Sequence, residues 1–129
     1  MSGMFTHVVV GTNDPEASAR FYDATFRALG IEGGRSGESA YYGGYGGGFF
    51  SVGPPRDGGE ASFANGGTIG LAAPDQTSVD AWHAAGLENG GTDEGAPGRR
   101  DMGPNKLYGA YLRDPTGNKL AAFTYNVED

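Results

Sequence analysis

A β-branched run from Phe5 to Val10 is broken at Gly11 and followed by Thr12-Asn13-Asp14-Pro15-Glu16. This pattern predicts a strand, a turn and the start of a helix. Asn13 or Asp14 is suited to cap that helix, and Pro15 to its first position, where the missing N–H has no partner to lose. Ala17, Phe21, Ala24 and Ala28 then recur at spacings of three and four, an apolar stripe that Gly30 ends. Glycine dominates from Gly33 to Gly48, and within and after it Ala40-Tyr41-Tyr42 and Phe49-Phe50-Ser51-Val52 are predicted as short strands.

After a Gly- and Pro-rich connection the pattern starts again. Thr68 to Ala73 is a predicted strand, Pro74-Asp75-Gln76-Thr77 a helix start, and Ser78 to Leu87 a helix with Val79, Trp82 and Gly86 on its packed face. Thr77-Ser78-Val79-Asp80 approximates a capping box. A shift of 61 positions lays His7 on Thr68, Phe21 on Trp82 and Tyr22 on His83, a repeat of pattern more than of identity. Gly90 to Asn105 is predicted as a loop. Leu107 to Arg113 and Lys119 to Tyr125 are strands joined by a tight Asp114-Pro115-Thr116-Gly117 turn. The chain therefore divides into a first unit of about residues 4–53, a linker of about 54–66 and a second unit of about 67–126, within a single domain 1–129.

Composition narrows the chemistry. The absence of cysteine removes disulfide scaffolds, thiolate metal sites and thiol catalysis. A net charge of −7 argues against a nucleic-acid footprint. No segment approaches the roughly 20 apolar residues of a membrane span, and the first residues lack a signal-peptide pattern, so a cytoplasmic protein is expected. With 25 Gly and 7 Pro, a packed core must draw on the seven Phe, seven Tyr and one Trp. Tyr41, Tyr42, Tyr45, Phe49 and Phe50 are either core filler or an aromatic wall for a ligand. Gly43-Gly44-Tyr45-Gly46-Gly47-Gly48 has no helix pattern after it, so it reads as turns and not as a phosphate cradle.

Two strand-helix-strands units, with Arg20-Phe21-Tyr22 late in the first helix, His7-Val8-Val9-Val10 leading to Asp14, and the Tyr108 to Lys119 hairpin, resemble the vicinal oxygen chelate superfamily. That group includes glyoxalase I, extradiol dioxygenases and the bleomycin-resistance proteins. The resemblance covers nearly the whole chain. It implies an α+β fold of two βαβββ modules whose curved mixed sheets surround a cavity, and a homodimer. It also implies metal-ligand positions on the first and last strands of each module, which here fall on His7, Ser51, Thr68 and Ala121.

Only His7 of these four is a strong ligand, and a slip of two residues at the last position would bring in Lys119 or Phe123, neither of them better. A tightly held divalent ion is therefore not expected, weak binding aside, and no other cofactor is indicated. His7 is either a hydrogen-bonding group or proton acceptor in the cavity or a histidine satisfied by backbone or water. His83 reads as a packing or surface residue. Tyr108 and Tyr111, three apart on one strand, point to opposite faces, and Tyr108 is taken as the one on the ligand side. Arg99-Arg100-Asp101 could neutralise an anionic group or simply be a solvated charge cluster.

The expected function is binding of a small molecule, as by sequestration, with Tyr42, Phe50, Ser51, Thr68 and Tyr108 as ligand contacts and His7 as the candidate catalytic group. The overall negative charge favours a cationic ligand. The alternative is a glyoxalase-like lyase, isomerase or dioxygenase acting on a small oxygenated substrate. No exposed anchor pattern supports a purely structural or partner-binding role.

Overall fold

The computed structural model describes residues 4–44 and 47–128. The first module runs β1 (His7–Gly11), α1 (Pro15–Ala28), β2 (Gly33–Ser36), β3 (Ser39–Gly44) and β4 (Gly48–Gly53). The second repeats it as β5 (Ile69–Ala72), α2 (Gln76–Glu88), β6 (Thr92–Arg99), β7 (Tyr108–Arg113) and β8 (Lys119–Thr124). Each module forms a four-stranded mixed sheet, in the orders β1-β4-β3-β2 and β5-β8-β7-β6. The outer strand β1 runs parallel to β4 and β5 parallel to β8, while the remaining pairs are antiparallel. This is an α+β fold of two βαβββ modules, and residues 54–68 between them carry neither helix nor strand.

Both helices start where an aspartate can accept from the first turn. Asp14 caps α1 through Ala17 N at 3.1 Å, with Pro15 in the first position. Asp75 caps α2 through Ser78 N at 2.8 Å, so the cap lies two residues before the Thr77 capping box that the sequence suggested. The buried face of α1 holds Ser18, Ala19, Phe21, Tyr22, Thr25 and Phe26; of the predicted stripe it keeps Phe21, with Ala28 packed at its edge, and two hydroxyls enter it because they find partners inside. Ser18 Oγ lies 2.6 Å from Thr12 Oγ1, and Thr25 Oγ1 donates to the Phe21 carbonyl at 3.0 Å.

Two strands were not legible in the pattern. β2 consists of Gly-Gly-Arg-Ser and is an outer strand; Arg35 anchors it to α1 by donating to both carboxylate oxygens of Asp23, at 3.1 and 2.6 Å. β6 replaces half of the predicted 90–105 loop. It pairs with β7 through two register shifts, between Asp93 and Gly95 and between Gly95 and Gly98, which accommodate Pro97 on an outer strand.

The core is one cluster shared by both modules, with α1 and α2 packed on each other and each helix covering one face of its own sheet. Phe21 and Tyr22 of α1, Trp82 of α2 and Leu112 and Leu120 of the second sheet are fully enclosed. Tyr22 donates to Asp114 Oδ2 at 2.5 Å, and Asn118 Nδ2 donates to the Gly11 carbonyl at 3.3 Å, so the β7–β8 turn is tied to both α1 and the end of β1. No helix among the described residues is long and apolar enough to cross a membrane.

Candidate functional site

Alternation along the strands sorts the candidate residues by face. On the first sheet Val8, Val10, Tyr42, Phe50 and Val52 pack towards α1 and the core. His7, Val9, Tyr41, Phe49 and Ser51 take the opposite, uncovered face, where Val9 is 64% exposed and Phe49 41%. The aromatic wall is thus split by the two-residue period of the strands. Tyr42 and Phe50 join Tyr22 and Phe26 in a buried ring cluster, Phe26 stacking on Tyr42 at 4.7 Å and 13°. Tyr45 lies outside the described residues.

The strands β1 and β5 are outer strands of separate sheets and do not hydrogen-bond to each other. At this seam lies a cavity of about 250 Å³, walled on one side by Phe5, His7, Val8, Phe49 and Phe50 and on the other by Ile69 to Ala72, with Phe26 and Tyr42 behind. Of the predicted contacts, the fold brings His7, Tyr42 and Phe50 together here. Tyr42 offers its ring and not its hydroxyl, which donates to Asp23 Oδ1 at 2.8 Å on the far side. Burial pushes the Tyr42 hydroxyl well above its ordinary pKa, and the Asp23 hydrogen bond adds to that. Hydrogen bonds from Arg35 hold Asp23 below the usual carboxylate range against the cost of its partial burial.

His7 is exposed, its ring stacked on Phe49 at 5.0 Å and 11°. Its Nδ1 lies 3.0 Å from Thr6 Oγ1. Among the described residues its Nε2 has no hydrogen-bond partner, so that nitrogen is open to a ligand.

The parallel register opposes His7 to Phe49 and Val9 to Ser51, so Ser51 shares the face of His7 but stands one pair further along. In the second module Gly70 opposes Ala121, which is buried, and Thr68 is exposed just before β5. Neither Ser51, Thr68 nor Ala121 lines the seam cavity. An imidazole with two neutral hydroxyls and a methyl group is a poor donor set for a divalent ion, which needs several carboxylate or imidazole ligands. Among the described residues no three His, Asp or Glu side chains come together as a metal site.

Tyr108 lies on the α2 side of its sheet. It shares the face of Ala110 and Leu112, and its hydroxyl donates to Asp80 Oδ1 on α2 at 2.6 Å. The residue on the uncovered face is Tyr111, opposite Ala121 and in edge contact with Phe123 at 5.6 Å. The sequence carried the parity of this pair but not its sign, which depends on where α2 lies. The Arg99-Arg100-Asp101 cluster divides: Arg99 pairs with Asp101 at 2.7 Å, whereas Arg100 lies over the Tyr111 ring at 5.9 Å. His83 is buried on α2, its Nε2 2.8 Å from Asp93 Oδ1, which makes it a helix-to-β6 tie.

Residues 4–122 match the family described as the Glyoxalase/Bleomycin resistance protein/Dioxygenase superfamily. No curated protein matches the chain. Among solved structures, a glyoxalase/bleomycin resistance protein from Albidiferax ferrireducens T118 is 47% identical with a TM-score of 0.89, covering 95% of this chain and 99% of its own. A glyoxalase-related enzyme from Fulvimarina pelagi is 23% identical with a TM-score of 0.70, covering 94% and 87%. Lactoylglutathione lyase from Agrobacterium tumefaciens is 19% identical with a TM-score of 0.63, covering 95% and 93%. At these lower identities the likeness is one of fold.

Proposed function

Because the chain belongs to the glyoxalase/bleomycin resistance protein/dioxygenase superfamily, its function turns on the seam between its modules, and we propose that it binds a small molecule there without a tightly held metal. The observation that carries this reading is a cavity walled by His7, Phe49 and Phe50 beside a ligand set in which only His7 is a strong donor. Aromatic walls supply apolar contact area, and the open His7 nitrogen supplies one directional hydrogen bond. Sequestration requires nothing more. Enclosure is completed by a second copy of the chain over the apolar uncovered face of the first sheet, where Val9, Tyr41 and Phe49 are exposed.

The reading is tested in two steps. Protein stripped with a chelator, reloaded with Ni, Zn, Fe or Mn and desalted is expected to retain far less than one equivalent. A stoichiometric ion that His7→Ala abolishes would refute the metal-free site. Incubation with a panel of small oxygenated aromatics is then expected to show saturable binding with every ligand recovered unchanged. A product peak would transfer the protein to the lyase, isomerase or dioxygenase reading.

A further inference from the structure

Two strand edges border the seam, and each has a partner on its other side only. Along a strand the backbone N–H and C=O of successive residues point to alternate edges. Ala73 N–H donates to the Phe123 carbonyl at 2.9 Å, so Ile69, Leu71 and Ala73 turn their backbone groups towards β8. Gly70 and Ala72 turn theirs away from β8, and both residues line the seam cavity. On β1 the bonds from Phe49 N–H to the Thr6 carbonyl at 3.1 Å and from Thr12 N–H to the Gly53 carbonyl at 3.0 Å leave His7, Val9 and Gly11 turned away from β4. The Gly11 carbonyl accordingly accepts from Asn118 of the second module at 3.3 Å. Among the described residues the outward backbone groups of Gly70 and Ala72 have no hydrogen-bond partner.

Those groups must be satisfied by water or by whatever occupies the cavity. Its remaining walls are apolar: the rings of Phe5, Phe26, Tyr42, Phe49 and Phe50 contribute, and no Lys, Arg, Asp or Glu lines it among the described residues. The chain's net charge of −7 is therefore carried elsewhere, and the cationic preference it suggested does not extend to this lining. An apolar cavity of about 150 Å³ takes one benzene ring. At about 250 Å³ the seam has room for two fused rings. Gly70 leaves its edge clear, with nothing within 4 Å of where a Cβ would stand.

We propose that the seam cavity takes an uncharged planar lactam, a ring amide whose N–H and C=O lie side by side, and that the free edge of β5 at Gly70 reads it. One strand residue presents a donor and an acceptor on the same edge, and a cis amide returns an acceptor and a donor to them, the two-bond exchange of an antiparallel pair. No second side chain has to converge on the ligand. Gly70 is assigned before Ala72 because it has no side chain to stand over the ring. The aromatic walls then cover the faces of the ligand, and the absence of a paired charge disfavours an ionised one. This assignment rests on the reading that the seam cavity receives the ligand, and it names the class of molecule that the cavity accepts.

The bicyclic lactam carbostyril tests this by titration into 15N-labelled protein, beside N-methylcarbostyril, which keeps the rings and carbonyl but has no N–H, and the cation N-methylquinolinium. Carbostyril is expected to move the Gly70 amide furthest, with smaller shifts at His7 and Phe49. N-methylcarbostyril should bind about tenfold more weakly, the loss of one hydrogen bond, and the cation more weakly still. Gly70→Pro removes an N–H that the β8 ladder does not use and should weaken carbostyril by a similar factor, whereas Gly70→Ala keeps the N–H and should retain it. The two lactams compared in the unaltered protein decide the matter whether or not Gly70→Pro folds. Equal binding of both, tighter binding of the cation, or a greater loss in Ala72→Pro than in Gly70→Pro would overturn the assignment. Saturable shifts at His7 and Phe49 without one at Gly70 would overturn it while leaving the cavity as the ligand site. No saturable shift at any seam residue would count against the edge and the cavity together.

Discussion

Asp114 accepts from the backbone N–H groups of Thr116, Gly117 and Asn118, each at 2.9 Å, from Asn118 Nδ2 at 2.8 Å and from the Tyr22 hydroxyl at 2.5 Å. The Asp-Pro-Thr-Gly-Asn motif is therefore a structural knot that fixes the β7–β8 turn and ties it to α1, with Gly117 at φ 104° where a side chain would be strained. Asp114→Ala leaves these donors unmatched in the interior and is expected to cost about 3–5 kcal/mol. Tyr22→Phe removes one bond to a charged acceptor and should cost about 1.5–3 kcal/mol, both measured by urea unfolding. Asp23 gives a pH-dependent case. Because Arg35 holds its pKa below the unfolded value of about 3.9, the pair contributes stability above that pH and loses it as pH falls through the folded value. Arg35→Ala should thus be destabilising by at most about 1 kcal/mol at pH 7, the bridge being partly exposed, with the gap to the unaltered protein closing below about pH 4. A gap that stayed constant from pH 7 to pH 3 would show that Arg35 acts through packing alone.

The helix pair makes the next prediction. At Gly86 of α2 a Cβ would stand 2.3 Å from Leu112 Cδ1 and 3.2 Å from Phe21 Cε1. Alanine gains about 1 kcal/mol of helix propensity, but overpacking costs about 1–3 kcal/mol, so Gly86→Ala is expected to destabilise on balance. Adding Leu112→Ala should cost less in that background than in the unaltered chain, a coupling read from a double-mutant cycle. Elements with a strong local signal were legible: β1, both helices, β4 and the β7–β8 hairpin follow from apolar period, Asp14 as a cap and a Pro-Gly turn, although the α2 cap fell on Asp75 and not on Thr77. The strands β2 and β6 were not, because Gly-Gly-Arg-Ser and Thr-Asp-Glu-Gly-Ala-Pro-Gly-Arg have no apolar alternation. Pairing to β3 and β7 makes them strands, and that pairing is a tertiary event.

The two sheets leave their uncovered faces with different character. The first presents Val9, Tyr41 and Phe49, the second Tyr111, Lys119 and Arg100. Sedimentation equilibrium is accordingly expected to give a two-chain mass, and Val9→Lys, which places a charge on the apolar face without disturbing the core, should shift it towards one chain. A monomeric unaltered protein would refute the homodimer. The sequence by itself determined the modular repeat, the two helices and the Asp-Pro-Thr-Gly turn, because each is written in residue type and short-range period. Only the tertiary structure decided that Phe49 and not Ser51 opposes His7, that Tyr111 and not Tyr108 is uncovered, and that Arg100 and Lys119 each come to lie beside the Tyr111 ring. Strand register and the side taken by a helix come from packing between distant segments, so residues far apart in the chain acquire a common surface only when the core closes.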